Sequence, residues 1–577
     1  MPGSTTWPWW LAIGAALGGL AVVESGGGEW HTALGRISAH NPRPFFIASA
    51  VVVAAALAWR RRFAWTIDLP SLPLGLSRHS RALPVVMAIA LIAFAFAWNT
   101  WTIGGSDSHC LAAQARAFAS GQAHVSTQLA VDAPWPDATR TFAPVGFHPH
   151  AGGSGRFVPV CSPGYPALLA PLLWVSALAP FAVPPVAAVI CVWATARLSR
   201  ALDGALSAVL GPLIFATTPV VLYQAVQPMN DVPVAAFVAS AAALAMTPPM
   251  RPGLAGALLG LAVLCRPNLA PLAVPFLVAL PASSRARFLC FMLPAIALVP
   301  VLNTVVYGAP LTTGYGDVGD LFSLGHVGTN VTRYSAWLLA TSPALLLGAL
   351  APLVLHDPAR ARSARLAVFL LALAAVVVAC YLPYLPFDTW WYLRFLLPAM
   401  PVLAALAAAV VTRVGTRVGA YGSTIAVMVA MIAAWHGLTT AHRRAVFAIA
   451  VLEQRLHTTA EIVGEAYPDS VAIAIQPNGA ISYQLQRPVV SWDSLMPRSL
   501  DQAVRWLESR GAHPLIVVDG PEEAAFRQRF RDASSLGALD WPPRWVVYRA
   551  VRVYDPADRA RFMTGAHIPV TRVDPPR

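Results

Sequence analysis

Asp107 lies in Gly104-Gly105-Ser106-Asp107-Ser108-His109, just past an apolar run, and opens a stretch over 102–162 that closes on Ser162-Pro163-Gly164-Tyr165-Pro166. A carboxylate kept at the edge of so apolar a neighbourhood marks a functional site, and the chemistry open to it is proton transfer. Few acids compete for that role. Of the 27 Asp and Glu residues, 15 lie beyond Ala441. Asp68, Asp203 and Asp357 sit among arginines, where a topological or salt-bridge role suffices, and Glu24 and Glu29 occupy the link between the first two apolar runs. Of the rest, Asp107 and Asp231 stand at predicted helix ends, where a rigid scaffold can hold a carboxylate; each would also serve as the cap of the helix that follows it.

The cations narrow the chemistry further. All 40 basic residues are arginine, so lysine Schiff-base chemistry is excluded, and an anionic ligand must be held by Arg, His, backbone N–H or a metal. Arg266 and Arg394 fall at helix ends on the same side as Asp107, where a guanidinium either grips phosphate oxygens or reaches lipid headgroups. Arg333 is a third candidate. His109, His124, His148 and His150 match no diagnostic metal-ligand spacing and read as solvated loop residues. Cys110 and Cys161 flank the 102–162 stretch; a disulfide between them would tie its start to its end, and spacing alone leaves the pairing open. Cys191, Cys265, Cys290 and Cys380 read as small apolar packing residues.

The elements that must position these groups are membrane helices. Hydrophobic residues make up 57% of the 577 positions and charged residues 12%, too apolar for a soluble chain of this length. About thirteen runs have helical span character: Trp9 to Val23, Phe45 to Trp59, Leu83 to Trp101, Phe181 to Arg197, Ala205 to Tyr223, Val232 to Met246, Gly253 to Leu264, Leu269 to Leu280, Phe288 to Val306, Tyr334 to Leu355, Leu366 to Tyr381, Leu393 to Val411 and Tyr421 to His436. The net charge of +13 collects in short loops between these runs, which reads as topology rather than as a nucleic-acid surface. Gly164 to Leu178 is apolar but broken by proline, and we read it as a helix lying along the outer surface. The arginine loops then share the cytoplasmic side, and Asp107, its loop and the C-terminus lie outside. Residues 1–82 form a two-span hairpin and cytoplasmic loop, 83–440 the membrane core, and 441–577 an extracytoplasmic α/β domain. That domain has strands near Val471 to Ile475, Pro514 to Val518 and Trp545 to Tyr548, and helices near Leu500 to Arg510 and Pro521 to Arg531.

The order of motifs along 83–440 resembles the GT-C fold of polyprenyl-phosphate-sugar glycosyltransferases, the superfamily of aminoarabinose, mannosyl and galacturonosyl transferases. The residues that carry the resemblance are Asp107 just past a span, Ser162-Pro163-Gly164-Tyr165-Pro166, Ala194-Thr195-Ala196-Arg197-Leu198, Gln227-Pro228-Met229-Asn230-Asp231-Val232-Pro233, Gly260-Leu261-Ala262-Val263-Leu264-Cys265-Arg266-Pro267 and Trp391-Tyr392-Leu393-Arg394-Phe395-Leu396-Leu397-Pro398. The resemblance implies a polyprenyl-phosphate sugar donor, a lipid, glycan or protein acceptor, and single-displacement, inverting transfer at the outer face of a bacterial inner membrane. It implies Asp107 as acceptor base, and Asp231 as a group that orients the acceptor or binds a metal, so a divalent cation is left open. Arg394, Arg266 and Arg333 would hold phosphate, with Tyr165 and His109 as further substrate-binding candidates, and the loop from Tyr307 to Arg333 would close over the donor. Many members carry two adjacent acids where this chain has Asp107 followed by Ser108 and His109.

Two other readings fit a many-span chain: a transporter or lipid flippase, and a non-catalytic scaffold whose outer domain binds a partner. No inverted repeat is visible and the spans carry few charges, which disfavours the transporter.

Overall fold

In the computed structural model of the chain, residues 79–575 are described apart from 317, 358–359 and 418–421, together with short pieces of helix and strand before residue 79. The expected spans Trp9 to Val23 and Phe45 to Trp59, and Asp317, lie outside the described residues. Between those two runs, Gly28–Thr32 pairs antiparallel with Gly35–Ala39.

Five described helices are long and apolar enough to cross a membrane: Ala179–Ala216, Ala282–Tyr307, Ala361–Tyr381, Trp390–Arg417 and Gly422–Arg443. A sixth follows if Leu324–Thr341 and Pro343–Val354, bent by 114° at their junction, make one span. The expected count of thirteen is not confirmed. Several of the expected runs fold as shorter helices, among them Ala82–Ala97, Asp231–Met246, Pro252–Cys265 and Pro267–Ala279. A 16-residue helix reaches only about 24 Å, short of the hydrocarbon thickness. Proline sets many of these ends, because it removes a backbone donor and suits a first helical turn: Pro219, Pro252, Pro267 and Pro343 all begin helices.

The run Ala179–Ala216 is two consecutive helices, as the sequence suggests, because the backbone breaks at Asp203 and Gly204. Gly204 has φ +86° and ψ −154°, a conformation reserved for glycine. At this break Asp203 accepts from Arg413 at 2.9 Å and from the Thr412 hydroxyl at 2.6 Å, with Arg360 at 3.4 Å. Asp357 pairs with the same Arg413 at 3.5 Å. Arg200 donates to the Ser80 carbonyl at 2.8 Å, and Arg197 to Thr247 and the Pro248 carbonyl. The loops carrying Arg197, Arg200, Arg360 and Arg413, among those expected to share one side of the membrane, therefore meet at one end of the bundle.

At its centre, Met400–Arg417 is almost entirely buried and packs against Ala179–Ala216, Asp231–Met246 and Gly422–Arg443. Ala282–Tyr307 lies at the periphery, packed on Pro252–Cys265, with Phe291, Leu293, Val301 and Val305 exposed as lipid-facing side chains would be. Gly164–Leu173 is a 10-residue helix packed on Ser106–Ala119, followed by exposed Trp174, Val175 and Leu178.

Beyond the bundle stands the α/β unit. Its sheet runs Thr571–Val573, Trp545–Val547, Val551–Tyr554, His513–Val518, Ser470–Ile473, Val489–Val490 in spatial order. Val551–Tyr554 is antiparallel to both neighbours, while His513–Val518, Ser470–Ile473 and Val489–Val490 run parallel. Helices Leu500–Ser509 and Gly520–Phe530 fall where the alternation of apolar and charged residues puts them. The second starts at a capping box, Asp519 with Glu522.

Candidate active site

The 102–162 stretch folds into the helix Ser106–Ala119 and a small antiparallel sheet of Val125–Ser126, Arg156–Pro159 and Phe147–Pro149. Cys110 and Cys161 form a disulfide across it, with Cα atoms 6.1 Å apart. The stretch thus returns to its own start, and Ser162 and Pro163 come to line the same cavity as Asp107.

That cavity has a volume of about 1020 Å³. Asp107, Arg394 and Arg266 all face it, among Tyr307, Tyr315, Tyr381, Tyr384, Trp391 and Tyr392. Asp107 occupies the first turn of its helix, but Gly105 in extended conformation is the N-cap and no side chain caps. The capping reading of Asp107 therefore falls. Its Oδ2 instead accepts a short hydrogen bond from Arg394 Nη2. Asp107 keeps 39% of its side-chain exposure and Arg394 only 11%. The guanidinium lies 5.0 Å from the Tyr392 ring centre and 5.3 Å from that of Phe395, and its Nε is buried without a protein partner. Arg394 comes from a 3-10 segment, Trp390–Ala399, that leads into the buried Met400–Arg417 helix.

Arg266 is held differently. Its Nη2 donates to Asp231 Oδ1 at 2.5 Å and to Asn230 Oδ1 at 3.1 Å, and its Nη1 to the Tyr381 hydroxyl at 3.1 Å. Asp231 is fully buried behind it and does not reach the cavity wall. Asp231, expected to orient the acceptor or bind a metal, pairs with Arg266 and does not line the cavity; Asn230, not Asp231, takes the N-cap position. Among the described residues no group of three or more His, Cys, Asp or Glu is arranged to hold a metal ion.

Three candidates stand off the wall. Arg333 donates to the Phe387 carbonyl and so positions a wall residue rather than lining the cavity. Tyr165 is buried with its hydroxyl unpartnered, packed within the protein core. His109, read as solvated, is 2% exposed. Its ring donates from Nδ1 to the Val145 carbonyl at 2.7 Å and meets the Ser482 hydroxyl at Nε2, 3.0 Å away. Burial lowers its pKa from 6.5 to about 4, so the ring is neutral and joins the loop to the α/β unit.

No family model matches the chain, and no curated protein matches its sequence. Among solved structures the chain is similar to ArnT from Cupriavidus metallidurans bound to undecaprenyl phosphate, at 13% identity and TM-score 0.49 over 82% of this chain and 97% of that one. It is similar also to the Archaeoglobus fulgidus oligosaccharyltransferase in its apo form, at 13% identity and TM-score 0.45 over 80% and 73% of the two chains. A third is arabinofuranosyltransferase AftD from Mycobacteria, at 17% identity and TM-score 0.41 over 79% of this chain and 37% of that one.

The sequence reading missed Glu453 and Gln476, which reach the cavity from the C-terminal region, and the tyrosines. Glu453 had a signal: it ends the apolar run Ile449-Ala450-Val451-Leu452. The tyrosines gave none, because aromatic residues at helix ends are common at membrane interfaces. Burial raises the Tyr315 phenol to about 12.

Proposed function

We propose that the chain is an integral membrane glycosyltransferase of the bacterial plasma membrane. It moves a sugar from a polyprenyl-phosphate donor to an extracytoplasmic acceptor with inversion. The observation that carries this reading is the cavity in which Asp107 meets Arg394 and Arg266 at the end of the bundle away from the arginine loops.

The acceptor oxygen attacks the anomeric carbon and its proton passes to Asp107. The bond between that carbon and the phosphate oxygen breaks, and the electron pair leaves with the polyprenyl phosphate. A phosphate is already a good leaving group, so the protein needs a base and fixed cations rather than a second acid. Arg394 is the principal phosphate holder, since it lines the cavity with its guanidinium on the half-exposed Asp107, whereas Arg266 is committed to Asp231, Asn230 and Tyr381 and contributes mainly its field. Arg394 also fixes Asp107 beside the point where phosphate and acceptor must meet. The donor's lipid would lie along Ile296, Val299 and Pro300, the cavity face of the peripheral helix Ala282–Tyr307.

The test is transfer from a synthetic polyprenyl-phosphate sugar by purified protein. Asp107→Asn should lower kcat by at least about 100-fold while leaving binding of undecaprenyl phosphate in place. Transfer at the wild-type rate by Asp107→Asn would remove the base.

A further inference from the structure

Among the described residues the cavity wall holds one acid that this chemistry does not use. Glu453 lies on the helix Ile449–Ala466, which docks against the segment leading to Asp107. A Cβ on Gly104 would stand 2.6 Å from Leu456 Cδ1 and 3.5 Å from Glu453 Oε2, so the carboxylate sits beside backbone three residues before Asp107. From the other side, a Cβ on Gly479 would come within 2.4 Å of the Gly104 carbonyl oxygen. Packing on Gly104 from both sides ties the helix that carries Glu453 to the segment leading to the base.

The cations are distributed so as to leave Glu453 its polar edge. Asp107 has Arg394 and Asp231 has Arg266, while Arg455, the cation adjoining Glu453, is turned onto Asp519 at 2.8 Å. Asp519 N–H donates to Glu522 Oε2 at 2.9 Å, and Gln476 N–H to Glu522 Oε1 at 2.9 Å. One network therefore holds the backbone of Gln476 and, through Arg455, the helix that carries Glu453. Burial raises the Glu453 pKa, against the pull of Arg455. A carboxyl and a carboxamide on fixed backbone suit paired hydroxyls, whereas phosphate wants the arginines.

We propose that Glu453 and Gln476 form an acceptor subsite that binds hydroxyl groups of a saccharide. It rests on the reading of Asp107 as acceptor base: Asp107 takes the attacking hydroxyl and Glu453 holds a neighbouring one. The acceptor is then a glycan, and the α/β unit is part of the substrate site rather than a cover over it.

The test uses the full chain in lipid nanodiscs and two separate probes. Binding of methyl glycosides of common pentoses and hexoses is followed by saturation-transfer NMR, and undecaprenyl phosphate binding by native mass spectrometry. At least one glycoside should bind the wild type, and Glu453→Gln should weaken it about tenfold, as expected for a lost hydrogen bond to a carboxyl group. Gln476→Ala should weaken it in the same direction and carries the test if Glu453→Gln does not fold. Undecaprenyl phosphate affinity should stay within about twofold in both. Glu461→Gln, exposed on the same helix, should change neither. Absence of glycoside binding to the wild type, or equal binding by the variants, overturns the subsite. Absence of undecaprenyl phosphate binding overturns the donor reading, and the glycoside arm still decides the subsite by itself.

Discussion

Arg394 and Arg266 look alike in sequence, each at a helix end, but their partners assign them different costs. Asp107 is 39% exposed, so removing Arg394 leaves an acid that water can still solvate. Asp231 is fully buried, so removing Arg266 strands a charge inside the protein, a change that typically costs about 3–5 kcal/mol. Arg394→Ala should therefore abolish detectable transfer with little change in the apparent Tm, while Arg266→Ala should unfold or lower the Tm by several degrees; thermal unfolding in detergent beside the transfer assay separates the two. Arg394→Lys keeps the charge and loses the planar fork, and should recover only a minor part of the activity. His109 gives a pH signature. Its folded pKa of about 4 lies below the ordinary 6.5, so the unfolded chain binds the extra proton first as pH falls. The stability this neutral ring contributes is complete above pH 6.5, is lost progressively down to about pH 4, and amounts to about 3 kcal/mol at most. Amide protection in Ser106–Ala119 and Asn478–Leu485, taken relative to intrinsic exchange at each pH, should fall between pH 7.5 and 5, and His109→Gln should flatten that dependence.

At the scale of elements, the disulfide and the glycine contacts hold the site in shape. The Cys110–Cys161 bond closes a loop of 51 residues, worth about 4 kcal/mol in loop-closure entropy. Cys161→Ser should make 120–161 protease-sensitive and weaken donor binding, because Cys161 and Ser162 line the cavity. Gly479→Val would drive a side chain into the Gly104 carbonyl and should release the α/β unit to limited proteolysis. Elements of these kinds differ in how far the sequence discloses them. Ser470–Ile473, His513–Val518 and Trp545–Val547 are legible because β-rich runs alternate with turn signals, and Leu500–Ser509 because its apolar residues recur at helical spacing. The helix Ile449–Ala466 and the strand Val551–Tyr554 escape, since their patterns depend on faces that only the docked structure defines. Asp107, Arg266 and Arg394 are legible as rare charges at helix ends. Their pairing, the burial of Asp231 and the arrival of Glu453 are tertiary facts that no local pattern encodes.

For the molecule as a whole, charge is sorted between two ends. Arg413, Asp203, Asp357 and Arg360 interlock at one, and Asp107, Arg394, Asp231 and Arg266 at the other. Both sets have balanced partners, so neither end is attractive for its net charge alone; what differs is that the second set opens onto the cavity and the 102–162 loop. The Gly164–Leu173 helix, at 10 residues, is about 15 Å long and cannot cross a bilayer. The chain must then enter Ala179–Ala216 from the same side on which the loop lies, and the first half of that run carries it to the Asp203 end. Two positions test this directly. Ser154, in an exposed turn of the loop, and Arg360, exposed beside Asp203, should as single cysteine substitutions react with a membrane-impermeant maleimide from opposite faces. Ser154→Cys should label in intact cells and Arg360→Cys only in inverted vesicles, because clustered arginines favour the cytoplasm. Labelling of both from the same face would place Asp107 and the arginine loops together, and the outward-facing transfer site would be lost with that topology.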